Sequence, residues 1–192
     1  AKAKVIHLDI DAAEVGKRKP AKASLIADLK TSLPALECFV TPKAWCDTNK
    51  EMNIKHAWRY DYPGEKVYAP YLLNQLSQRM PKTGVVCCDV GQHQMWVAQH
   101  MKFSHPSNHL SSGGAGTMGF GLPAAIGAQV ARPDDFVITV SGDGSIMMNI
   151  QELATIRRNN LPVKILILDN QRLGMVRQWQ ELFFEGRYSE TN

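Results

Sequence analysis

From about residue 67 onward, short apolar runs alternate with longer segments of helical period, and that alternation leaves few folds open. The runs lie at 84–89, around Val85-Val86-Cys87-Cys88, at 136–141, beginning Phe136-Val137-Ile138, and at 163–168, ending Ile165-Leu166-Ile167-Leu168. Each is apolar nearly throughout rather than every second residue, the pattern of strands buried on both faces. Between and beyond them lie helical segments at about 71–80, 92–101, 123–131, 146–158 and 174–184. Leu72, Leu73 and Leu76 share one helical face, as do Ile146, Ile150, Leu153 and Ile156. Strands alternating with helices predict an α/β fold, a parallel sheet flanked by helices on both sides.

The preceding residues read differently. A strand is expected at 4–10, a charged turn through Lys17–Lys19, and a helix from about Ser24 to Glu37 interrupted by Pro34. Residues 38–66 read as a connecting arm. Thr41-Pro42 gives a capping residue followed by proline at the first helical position, for a helix through Trp45 and Trp58. Tyr62-Pro63-Gly64 is expected to end it. The chain begins almost directly on a strand, without methionine, and stops at Thr191-Asn192, so a fragment of a longer protein is expected.

In an open parallel sheet the carboxyl ends of the strands face one crevice, where ligands bind. Gly142-Asp143-Gly144 follows one apolar run; 24 residues later Asp169-Asn170-Gln171 follows the next. The Asp143 carboxylate and the Asn170 amide oxygen would thus meet on one hard cation. Mg²⁺ takes few protein oxygens and completes its octahedron with water and substrate phosphates, so the spacing points to a Mg²⁺–diphosphate site. An ordinary Asp-Gly turn is the bland alternative for Gly142-Asp143-Gly144 alone. Gly91-Gln92-His93 follows a third strand end, where a helix N-terminus offers amides to a phosphate and Gln92 and His93 add side-chain donors. Asn159-Asn160 lies before Pro162 and reads as a helix end.

The segment Ser111–Gly121 is too glycine-rich for a helix interior and exposes main-chain groups suited to the polar edge of a flat heterocycle, unless it is simply a flexible turn. It lacks the G-x-G-x-x-G form directly after a strand, which weakens a dinucleotide reading. Leu173-Gly174-Met175 opens the last helix beside Asn170. Met175 and Trp179, four apart, share one face, either core or pocket wall.

The formal charge of +4 and the short basic clusters Lys17-Arg18-Lys19 and Arg157-Arg158, without interleaved aromatics, argue against nucleic acid. No apolar run approaches the ~18 residues that cross a membrane, and no signal peptide is evident at the N-terminus. Cys87 and Cys88 lie within a strand and read as buried thiols, and Cys38 and Cys46 form no C-x-x-C pair, so a reducing, cytoplasmic compartment is expected.

Taken together, these residues resemble the diphosphate-binding domain of thiamine-diphosphate enzymes, whose hallmark is Gly-Asp-Gly followed after about two dozen residues by Asn-Asn. Asp169 departs from the first Asn, while Asn170 keeps the metal-binding second. Gly91-Gln92-His93-Gln94-Met95-Trp96, Gly116–Ala125, Gly174–Gln180, Leu182-Phe183 and Arg187-Tyr188-Ser189 are similar to the catalytic subunits of the acetolactate (acetohydroxyacid) synthase family. That resemblance covers most of 67–192. It makes 1–37 the end of a central, Rossmann-like FAD-binding domain and 67–192 the thiamine-diphosphate domain, incomplete at its C-terminus.

The resemblance implies residue roles. Asp143 and Asn170 bind Mg²⁺, with the main-chain carbonyl of Arg172; Gln92, His93, Gly144 and Ser145 hold the diphosphate. Gly116 and Met118 read the aminopyrimidine, and Leu173, Gly174 and Met175 complete the cofactor site, Met175 propping the cofactor into its bent form. Trp179 lines the acceptor pocket and favours 2-oxobutanoate. The implied activity decarboxylates pyruvate and condenses the hydroxyethyl unit with pyruvate or 2-oxobutanoate, a step toward branched-chain amino acids. Implied partners are further catalytic subunits, in a homodimer or tetramer that shares its active site and contributes an activating glutamate absent here, and a regulatory small subunit. The isolated chain is therefore expected to be inactive and to bind cofactor poorly. Asp9 or Asp11 would touch FAD or serve as a plain helix cap. Alternatives are another carboligase or oxidase using the same cofactor, such as glyoxylate carboligase or pyruvate oxidase, and a non-catalytic phosphate-binding module.

Overall fold

Strand pairing in the computed structural model, which describes residues 3–36, 42–61, 64 and 66–191, is parallel throughout. The chain divides into two units, residues 1–58 and 59–192.

In the first unit, β1 (Ile6–Asp9) pairs in parallel with β2 (Ala23–Ile26), and α1 (Leu29–Ala35) follows. The helix expected from Ser24 onward is thus a strand over its first turn. Asp28 explains the boundary: its carboxylate accepts from the Lys30 N–H at 2.7 Å and caps α1. Asp11 likewise caps a short 3₁₀ turn through the Ala13 N–H, and Asp9 accepts from the Asp11 N–H. Helix α2 (Lys43–Lys55) stops before Trp58; the Thr41 cap, and Tyr62 and Pro63 at the far end, lie outside the described residues.

The second unit contains α3 (Ala69–Arg79), β3 (Val85–Cys88), α4 (Gln92–His100), β4 (His109–Ser111), α5 (Gly121–Ala131), β5 (Val137–Gly142), α6 (Asp143–Met147), α7 (Leu153–Arg158), β6 (Lys164–Leu168) and α8 (Gly174–Phe183). Its sheet runs β4-β3-β5-β6. Because side chains alternate along a strand, β3 and β5 feed two cores. Val86, Cys88, Ile138 and Val140 pack with Leu73 of α3 and Val97 of α4, whereas Val85, Cys87 and Val137 pack with Ala125 and Ala128 of α5. Both faces of the central strands are therefore buried, as their unbroken apolar runs predict. On β6 the two faces differ: Leu166 and Leu168 pack on the first core, but Ile165 and Ile167 are 37% and 47% exposed.

Two expectations change here. The short edge strand β4 falls within the stretch between 101 and 111 that carried no strand signal; it is three residues long and defined only by pairing with β3. The helix expected over 146–158 is broken into α6, a 3₁₀ turn and α7. The break is at Asn149, whose side-chain amide donates to the Gly119 carbonyl at 2.8 Å, a tertiary bond that a regular helix would not place there. Ile146 is consequently buried while Ile150 and Leu153 are exposed, so they do not share one buried face.

Candidate functional site

Three chain crossings at the carboxyl end of the sheet build one cavity. β3 leads through Asp89-Val90-Gly91 into α4, β5 passes directly into α6 at Asp143, and β6 leads through Asp169–Leu173 into α8. Since Gly142 of β5 pairs with Leu168 of β6, Asp143 and Asn170 leave adjacent strands at neighbouring levels. The cavity has a volume of about 550 Å³. Its lining includes Asp143, Asn170 and Arg172, expected at a metal, and Gln92, His93, Gly144 and Ser145, expected at a diphosphate. Gly116, Met118, Leu173, Gly174, Met175 and Trp179 line it as well. The residues expected at the metal, the diphosphate and the aminopyrimidine, with Met175 and Trp179, thus line one cavity. Asp169 does not line it; its carboxylate accepts from the Gln171 N–H at 2.8 Å and holds a turn in which Gln171 takes φ 56°.

The chemistry of the lining fits an anionic group beside a hard cation. α4 and α8 begin in this cavity without a side-chain cap. The Gln94 N–H bonds to the Gly91 carbonyl and the Gly174 N–H to the Arg172 carbonyl, while the other first-turn N–H groups, carrying the positive end of the helix dipole, suit an anion. The His93 ring is buried, and its Nε2 has no partner among the described residues. Burial pushes the His93 imidazole pKa down, partly offset by the Asp89 carboxylate, a hydrogen bond to the Asp89 main chain and the Asp143 carboxylate, and so favours the neutral ring. The Ser145 hydroxyl donates to the Val90 carbonyl at 2.6 Å, which leaves its oxygen as acceptor only and fixes β3's exit against α6. No cluster of three or more His, Cys, Asp or Glu side chains occurs among the described residues. A cation here would rely on one carboxylate, one amide oxygen and main-chain oxygen, the sparse hard-oxygen set that suits Mg²⁺ completed by phosphate and water.

Close approach is enforced at Gly174. A Cβ there would collide with the Gln92 and Asn170 side chains, whose amides hydrogen-bond to each other. At Gly142 a Cβ would sit 3.1 Å from the His93 ring. Met118 and Leu173 both reach the space over Gly144.

Sequence reasoning missed Asp89. It has no solvent exposure, yet its carboxylate accepts from the main-chain N–H groups of Val90, Gly119 and Gly121 and from the Ser141 hydroxyl. A buried anion is tolerated when hydrogen bonds replace its lost water. Its signal was an acidic residue closing an apolar run, visible but read only as a strand boundary. Val90, Trp96, Leu168 and Val176 also line the cavity.

Residues 89–192 match the sequence model of the thiamine pyrophosphate enzyme C-terminal TPP binding domain. The chain belongs to the thiamine pyrophosphate (thiamine diphosphate) enzyme family. It is 58% identical, over 98% of its length, to the acetolactate synthase isozyme 2 large subunit of Escherichia coli (strain K12). It is 44% identical over 99% of its length to the chloroplastic acetolactate synthase 1 of Nicotiana tabacum, and 42% identical over 99% to the chloroplastic acetolactate synthase of Arabidopsis thaliana. The chain spans about a third of the length of these relatives, 34% of the bacterial protein and 30% of each plant one. No helix among the described residues is long and apolar enough to cross a membrane.

Proposed function

We propose that this chain supplies the diphosphate-binding side of an acetolactate synthase active site. There pyruvate is decarboxylated and its two-carbon unit joined to a second 2-oxo acid, either pyruvate or 2-oxobutanoate. The observation that carries this is the meeting of Asp143 and Asn170, from adjacent strand ends, in one cavity with the open N-termini of α4 and α8. The likeness to acetolactate synthases across nearly the whole chain selects this activity among those of the family.

When bound, thiamine diphosphate supplies the electron sink that decarboxylation of a 2-oxo acid requires. The chain's own residues bind and orient. Asp143, Asn170 and the Arg172 carbonyl would hold Mg²⁺, with His93, Gln92, Gly144 and Ser145 around the diphosphate. Gly116 and Met118 would face the aminopyrimidine, Leu173 and Gly174 would close the wall, and Met175, in the first turn of α8, would support the cofactor. Trp179, 60% exposed on α8, presents its ring to the acceptor acid and favours the larger one.

No glutamate lines the cavity among the described residues. The likeness to acetolactate synthases supports assigning the carboxylate that activates the cofactor's pyrimidine ring to a second catalytic subunit, in a homodimer or tetramer with shared sites. A regulatory small subunit is part of the same proposal, supported by the Escherichia coli relative being named a large subunit. Residues 1–37 are proposed as part of a central FAD-binding domain, 38–66 as a connecting arm and 67–192 as the thiamine-diphosphate domain. Asp9 and Asp11 each accept a local N–H through one carboxylate oxygen. A cytoplasmic location is supported by the buried, unpaired thiols of Cys87 and Cys88.

The test is a chimera in which residues 1–192 replace the matching third of the Escherichia coli large subunit. With pyruvate alone it should form 2-acetolactate, and with added 2-oxobutanoate mainly 2-aceto-2-hydroxybutanoate. A folded, cofactor-loaded chimera that makes neither product would overturn the assignment.

A further inference from the structure

Three side-chain amides stand in a row behind the proposed metal position. The Asn170 Nδ2 donates to Gln92 Oε1 at 3.1 Å, and the Gln92 Nε2 donates to Gln178 Oε1 at 3.3 Å. They come from three elements: the turn after β6, the first residue of α4 and the second turn of α8. Asn170 and Gln92 line the cavity, whereas Gln178 does not. Gly174 permits the arrangement, because any Cβ there would strike the two amides where they meet.

An amide has two ends of nearly equal size and opposite polarity, and only its oxygen can ligate a cation. A lone asparagine could turn either end toward a metal. Here Asn170 commits its nitrogen to Gln92, so Oδ1 is the atom left for the cation. Gln92 carries the same ambiguity, and its nitrogen is directed to Gln178, which accepts from it. We infer that Gln178 is a positioning residue for the metal: by accepting from Gln92 it fixes the polarity of the chain Gln178–Gln92–Asn170 and thereby turns the Asn170 oxygen toward the cation. The inference rests on the Mg²⁺–diphosphate reading of the site. Gln92 keeps one amide hydrogen uncommitted, so this role is compatible with a phosphate contact.

Variants at 178 separate polarity from packing. Glutamate is an acceptor of the same length and leaves the chain of amides in its present sense. Lysine only donates; it would turn Gln92 over, and Asn170 with it, presenting Nδ2 to the metal. Leucine removes the acceptor without adding charge. The chimera and its Q178E, Q178K and Q178L forms would be titrated with Mn²⁺ in the presence of thiamine diphosphate, with free Mn²⁺ read by its paramagnetic resonance signal. About 1 M salt, where charges are screened beyond about 3 Å, removes the direct effect of charge at 178.

The Glu variant should bind Mn²⁺ within about threefold of the parent, the Lys variant about tenfold or more weaker, and the Leu variant in between. Equal affinities for the Glu and Lys variants, whether both strong or both weak, would overturn the inference while leaving the site assignment standing. If the Lys variant fails to fold, the comparison of Leu with Glu decides alone, since a lost acceptor must still weaken binding. A parent chimera that binds no Mn²⁺ would overturn the site assignment and this inference with it.

Discussion

Asp89 Oδ1 accepts a hydrogen bond from the Gly119 main-chain N–H at 2.9 Å, tying the end of β3 to the glycine segment that contributes Gly116 and Met118 to the cavity. With the Gly121 N–H and the Ser141 hydroxyl on Oδ2, each at 3.2 Å, one buried carboxylate joins two strands and a loop. Asp89→Asn preserves shape but aims an amide N–H at a position already occupied by donors. The expected loss is about 1–3 kcal/mol of stability, read from urea unfolding of the chimera at pH 7. An unchanged midpoint would mean that the loop is held by other contacts.

Two acidic residues at neighbouring strand ends should behave oppositely. Asp143→Ala should abolish Mg²⁺-dependent binding of thiamine diphosphate, measured by fluorescence of Trp96 and Trp179, which both line the cavity. Asp169→Ala removes only a turn contact to the Gln171 N–H and should cost about 1 kcal/mol or less of stability, with binding retained. Equal effects of the two changes would dissolve the distinction between ligand and turn.

Gly174→Ala sets helix propensity against contact. In the first turn of an exposed helix, alanine in place of glycine would favour the helix by up to about 1 kcal/mol. Here the added methyl meets Gln92 and Asn170, so stability and Mn²⁺ affinity should both fall. A variant that gains stability and binds metal normally would show that the amides have room to move.

Burial pushes the Cys87 and Cys88 thiols up to about 12. At pH 8 they stay protonated and enclosed, whereas Cys46 is exposed. Brief treatment with a thiol-reactive reagent followed by peptide mass mapping should label Cys46 and spare Cys87 and Cys88. The linkage sign also follows. Above about pH 9 the unfolded thiols lose protons that the folded ones keep, so this contribution to stability is intact below that pH and declines as pH climbs toward 12. Rapid labelling of Cys87 at pH 8 would mean that β3 opens readily.

Much of the sheet was legible because its strands announce themselves locally. Val85–Cys88, Val137–Val140 and the run ending at Leu168 are continuous apolar stretches, and a parallel sheet buried on both sides asks for nothing else. Segments defined by partners were not legible. Ala23–Ile26 reads as the start of a helix until β1 lies beside it, and His109–Ser111 is a strand only because β3 offers an edge. The break at Asn149 depends on a carbonyl thirty positions earlier in the chain.

By itself the sequence determined that Asp143, Asn170 and Gly91–His93 sit at strand ends, because turn residues after apolar runs are a local signal. Their meeting was an expectation resting on the rule that parallel strands share one carboxyl edge. Only the tertiary structure decided strand order, the burial of Asp89 among four donors and the sequence of amides from Gln178 to Asn170. Hydrogen bonds between residues 30 to 90 positions apart leave no periodic trace in a chain. They exist only once the sheet has brought its ends to the same side.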